Sequence, residues 1–194
     1  MNFHEISLWI SNVLVFAAFS IYIYSILKGW AKPHRTTRFV LLIITSLATF
    51  SLIAQHNQVA VWLAGIAAIM SAMVFVLTLK YGMGGWAKID LACLIIALFG
   101  IIIWQITNNP ATALFAAILA DFTGVVPTII KIYHHPQTEV WTFFTLGGLG
   151  SLFNLLAVTN WTIEEIAYPL YLVLISTILV ILMFRKKISG AFNK

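Results

Sequence analysis

The sequence predicts an all-α membrane protein with seven transmembrane helices, and three observations predict it. The chain has 194 residues, of which 61% are hydrophobic and 9% charged, far below the roughly 25% charge of a soluble domain. Seven apolar runs, each close to the about 20 residues that a spanning helix needs, take up nearly all of it. The basic residues gather in alternate connections between those runs, as membrane topology requires.

The first run, Ile6–Leu27, has no basic leader and no small-residue cleavage site, so it reads as a retained helix rather than a signal peptide. Phe39–Ala54 is short and either borrows Thr36 and Thr37 or tilts little. Val59–Leu79 and Ile89–Ile106 follow, with Asp90 in the first turn of the fourth helix, where its charge complements the dipole. Ala111–Ile132, Val140–Val158 and Ile163–Phe184 complete the set. Connections such as Gln55–Gln58 and Thr107–Pro110 are too short to fold alone and make successive helices antiparallel neighbours. The glycines of Tyr81–Gly85 lack the Lys-Ser/Thr ending of a phosphate loop and read as a flexible connector.

Counting cations orients the chain. Lys28, Lys32, Arg35 and Arg38 follow the first run, and Lys80 and Lys88 follow the third. Lys131 ends the fifth, and Arg185, Lys186, Lys187 and Lys194 follow the seventh. All eleven lie on one side, which the positive-inside rule makes cytoplasmic, and the cytoplasmic membrane is the expected location. The N-terminus is then outside and the C-terminus in the cytoplasm, with Glu5, Glu164, Glu165 and the interfacial rings of Trp9 and Trp161 opposite the cations. The net charge of +5 therefore reports topology and not nucleic acid. The lone Cys93 excludes an internal disulfide.

An internal repeat organises the runs. Aligning Pro33 with Pro136 sets Phe50–Ala54 on Phe153–Ala157 and Asn57-Gln58 on Asn160-Trp161. Residues 1–80 form a first three-helix repeat, 81–109 a linker helix, and 110–194 a second three-helix repeat with a short basic tail. This is a 3+1+3 arrangement of parallel repeats.

Asp121 is the sharpest candidate for chemistry. A carboxylate in the middle of the fifth run costs several kcal/mol in lipid, so it must face protein or water, where it binds a solute or couples a proton. A purely structural hydrogen bond to Asn12, Gln105 or Asn154 is the alternative. Gly124 and Thr128 share its face, and Pro127 bends the helix. Asn154 offers a donor and an acceptor behind the glycines of 147–150, either to a neutral polar solute or as a tie between helices. Tyr168, Pro169, Tyr171 and Ser176 add a second bend and hydroxyls, Tyr22 and Tyr24 do similar work in the first run, and Trp62 and Trp104 read as interfacial rings, with stacking on a sugar ring as the alternative. His34, His134 and His135 read as solvated loop residues suited to anionic lipid; no metal site or other cofactor is expected. The seventh run has no lysine for a retinal Schiff base, and no hydrolytic triad is visible, so no enzyme is expected.

The stretch Val126-Pro127-Thr128-Ile129-Ile130-Lys131-Ile132-Tyr133, with Gln137-Thr138-Glu139-Val140 after it, is similar to the signature of the SWEET and PQ-loop transporter superfamily, as a divergent member of bacterial type. Pro127 and Thr128 stand at the Pro-Gln position, and the literal Pro136-Gln137 falls in the loop. Thr128 replaces the glutamine, and Tyr22 or Tyr24 stands where the first repeat would have its proline. The resemblance implies three-plus-one-plus-three topology, an external N-terminus, and a central solute cavity lined by Asp121 and Asn154.

The expected function is alternating-access transport of a small polar solute, sugar or amino-acid-like, with proton linkage as an option. Asp121, Asn154, Asn12 and Gln105 are the candidate binding or coupling residues, and Pro127, Pro169 and Gly124 the candidate hinges. The expected partners are the lipid bilayer and the solute, without nucleic acid; a homo-oligomer is compatible with the sequence. The competing expectation is a non-transporting receptor or partner-binding subunit on the same scaffold, whose contact surface would be the polar loop Lys131–Glu139.

Overall fold

The structure, a computed structural model, describes residues 2–54, 60–107, 110–159 and 161–192, and within these not the side chains of 51–52, 54, 60–64, 110, 113, 164 and 186–192. The connection Gln55–Gln58, the Asn57-Gln58 and Asn160 ends of the repeat alignment, and the Trp62 ring lie outside what is described.

Among the described residues the chain is all-helical: α1 (Phe3–Leu27), α2 (Arg35–Ala54), α3 (Ala60–Tyr81), α4 (Lys88–Ile106), α5 (Pro110–His134), α6 (Trp141–Leu156) and α7 (Ile163–Phe192), with a 3-10 turn at Pro136–Thr138. Each helix overlies one apolar run of the sequence. Among the described residues four stretches are long and apolar enough to cross a membrane: Phe3–Leu27, Lys88–Ile106, Leu114–His134 and Glu165–Arg185. Gly65–Tyr81 and Trp141–Leu156 are shorter apolar stretches.

Two compact units divide the chain: Met1–Ala31 with Ile129–Lys194, and Lys32–Thr128. In the first unit α6 packs against both α1 and α7. The buried face of α1 is Ser7, Ser11, Ala18, Tyr22 and Ser25, a helical period of mostly small side chains. Small residues let helices approach closely, and Gly150 shows the result. A Cβ there would stand 2.9 Å from Val15 Cγ2 and 3.3 Å from the Ser11 carbonyl oxygen. Across the bundle, Phe143 of α6 stacks on Tyr22 of α1 with ring centroids 4.1 Å apart.

In the second unit α2 packs against α3 and α4. Its core joins Val40 and Ile44 of α2, Ala97 and Ile101 of α4, and Ala120 of α5. Ala116, Ala120 and Gly124 place small residues at four-residue intervals along α5. Gly100 of α4 meets that row, since a Cβ there would lie 3.0 Å from the Ala116 carbonyl oxygen. Gly124 meets α2 in the same way, at 2.6 Å from Val40 Cγ1.

Candidate functional site

The buried face of α5 is where polar chemistry concentrates. Asp121 is 3% exposed, in the middle of an otherwise apolar stretch, and Thr128 and Lys131 are buried on the turns that follow. Asp121 is engaged by neighbouring groups, as a carboxylate among apolar helices must be. Gly124 removes the side chain beside it. Pro127, fully buried inside the helix, has no N–H to offer the carbonyl four residues back, which leaves that turn less constrained. Thr128 Oγ1 donates to Thr37 Oγ1 of α2 at 2.9 Å, a buried tie one turn beyond the Gly124–Val40 contact.

In the first unit a second polar group sits where α5 ends and α6 begins. Lys131 Nζ donates to Glu139 Oε1, with the two side chains 4% and 0% exposed. Tyr22 Oη of α1 donates to Glu139 Oε2 at 2.8 Å. Three sequence segments therefore meet on one carboxylate. The local cause is the turn between them: Pro136 opens a 3-10 turn, Thr138 Oγ1 donates back to the His135 carbonyl at 2.7 Å, and Glu139 is left extended just before α6. There its charge also faces the positive end of the helix dipole.

The second unit holds a comparable knot around His34. Its Nε2 lies 3.4 Å from Asp90 Oδ1, both side chains being 6% exposed. The other carboxylate oxygen accepts from the Gly85 and Ala87 N–H groups at 2.9 and 3.1 Å. Gly84 makes this closure possible: its φ is +73°, and any side chain there would overlap the His34 ring. The Tyr81–Gly85 connector is thus pinned to the start of α2, with Met83 N donating to the Pro33 carbonyl at 2.9 Å.

The sequence-predicted residues fare differently. Asp121, Gly124 and Pro127 lie together on the buried side of α5. Gln105 of α4 is exposed; Asn12 of α1, Asn154 of α6 and Pro169 of α7 are half-buried and belong to the first unit, whereas Asp121 and Gln105 belong to the second. Two expectations are corrected, and Tyr22, read for its hydroxyl, is found to give that hydroxyl to Glu139. His34 is not a solvated loop residue, because the glycine connector covers it and Asp90 pairs with it. The Lys131–Glu139 loop does not offer its end charges to a partner, because they are buried against each other; Tyr133, His134, His135 and Gln137 are its exposed members. The signal for the missed pair was present: a Lys closing one helix and a Glu opening the next across a proline turn.

Among the described residues no group of three or more His, Cys, Asp or Glu could hold a metal ion. Comparison of the chain with family models, with curated proteins and with solved structures finds no match.

Proposed function

We propose that the chain is an integral membrane transporter of a small polar solute, working by alternating access. The observation that carries this reading is Asp121, a buried carboxylate midway along an apolar helix of spanning length. Ionisable residues at such a position mark solute or proton pathways. Gly124 and the buried Pro127 support it, because they place a close helix contact and a weakened turn beside the acid. In this reading the chain crosses the bilayer seven times in a 3+1+3 arrangement, with its cationic side in the cytoplasm. The resemblance of residues 126–140 to the SWEET and PQ-loop signature favours a sugar or amino-acid-like solute.

The test is uptake of candidate sugars and amino acids into proteoliposomes at two pH values. Asp121→Asn should reduce uptake by about tenfold or more, the factor expected when a charge-assisted hydrogen bond is lost, with helicity unchanged. Proton coupling adds that the parent's uptake follows an imposed pH gradient while the variant's does not. Equal uptake by parent and variant for every solute transported would remove Asp121 from the mechanism.

A further inference from the structure

We propose that the first unit carries a binding site for one anionic phospholipid, its acyl chain in a groove between α6 and α7 and its phosphate on Arg185. The inference rests on the reading of the chain as membrane-embedded. The groove has a volume of about 240 Å³ and is lined from α6 by Phe144, Gly148 and Leu152 and from α7 by Ser176, Val180 and Ile181. Gly148 opens it: a Cβ there would already stand 3.0 Å from Ser176 Cβ. The Thr177 hydroxyl, also on the wall, is turned into its own helix and donates to the Val173 carbonyl at 2.8 Å. An apolar slot running along two helices matches a hydrocarbon chain and not a polar solute.

What identifies the lipid class is the end of the groove. Trp141 of α6 meets Phe184 of α7 edge-on at 5.9 Å, so Arg185 stands at the level where α6 begins, one turn beyond Ile181. Its guanidinium lies 3.7 Å over the Tyr133 ring and donates through Nη2 to the Tyr133 carbonyl. Nη1 is buried and has no hydrogen-bond partner among the described residues. The guanidinium is therefore held in place, and Nη2, whose bond to Tyr133 is exposed, keeps a second N–H for an anion such as phosphate. Among the described residues Glu139 is paired with Lys131, and His134 and His135, next in sequence to Tyr133, are exposed. Lys186 and Lys187 follow in the sequence. Between the two ends Thr145 lines the groove, one turn from Trp141.

The experiment equilibrates the purified full chain in mixed micelles with equal phosphatidylglycerol and phosphatidylcholine, then measures the lipid retained per chain by mass spectrometry of extracts. The parent should favour phosphatidylglycerol about fivefold, the factor one basic residue contributes near an anionic surface. Arg185→Gln should bring the ratio to about one while lipid is still retained. Raising ionic strength to about 1 M, where screening acts within ~3 Å, should do the same to the parent without any substitution. Thr177→Phe, at an exposed wall position, should lower retention of both lipids with unchanged helicity. Equal retention of the two lipids by the parent, full retention by Thr177→Phe, or displacement of phosphatidylglycerol by inorganic phosphate would each overturn the proposal. A chain that stays soluble without detergent and retains no phospholipid would instead overturn the membrane reading beneath it.

Discussion

Glu139→Gln should destabilise the protein by about 3–5 kcal/mol, the cost of leaving one member of a buried ion pair without its partner. The side chain keeps its volume, so packing around it is undisturbed. What changes is that the Lys131 ammonium, 4% exposed, loses the charge that balanced it. The Tyr22 hydroxyl, which donates at 2.8 Å, keeps only a neutral acceptor. Lys131→Met should cost a similar amount, because it strands the carboxylate instead. The double variant removes both charges and should recover most of the loss, since neither member is then left as an unbalanced buried charge. Tyr22→Phe should cost less, about 1.5–3 kcal/mol for one hydrogen bond to a charged group. Thermal unfolding in detergent, followed by circular dichroism through the full double-mutant cycle, measures these values and the coupling between the two positions. Additive single effects would show that the pair does not hold α5 to the start of α6.

The helices were legible because their signal is local and long. Runs such as Ile89–Ile106 and Ile163–Phe184 announce themselves by composition; helix starts agree within a few residues, as at Arg35 and Lys88, while α7 runs on eight residues past Phe184 through the basic turn to Phe192. Asp121 was legible for the same reason, as the exception within an apolar run. The partnerships were not. Tyr22 and Glu139 are 117 residues apart, and no period or spacing links them. His34 looked like a loop residue because it precedes a helix among cations; its burial depends on Gly84 adopting a positive φ and on Asp90 lying across from it, neither of which composition encodes. Asp90 itself was read for its helix dipole alone, although one of its two oxygens serves the cap while the other faces a histidine. The division between Asp121 and Asn154, which fall in different units, is likewise a matter of packing and not of sequence pattern.

Gly124→Val should separate α5 from α2 and cost about 1–3 kcal/mol, the range for forcing extra carbons into a packed contact. Even a single Cβ at this position would lie 2.6 Å from Val40 Cγ1 and 3.0 Å from its Cβ, and Val40 is fully buried, so it has no open space to move into. The displacement has a second consequence one turn along. The Thr128–Thr37 hydrogen bond, 2.9 Å long, depends on the same helix separation, and stretching it leaves two buried hydroxyls to find other partners. Volume can be returned at the other side of the contact: Val40→Ala alone should destabilise through the cavity it leaves, while Gly124→Ala with Val40→Ala should approach the parent. That reciprocity separates a steric role for Gly124 from a hinge role. If Gly124 matters because it lets α5 flex beside Pro127, the compensated pair should regain stability but not solute uptake. If it matters because it lets α2 approach Asp121, the pair should regain both. Unfolding midpoints and proteoliposome uptake on the same four proteins decide between them.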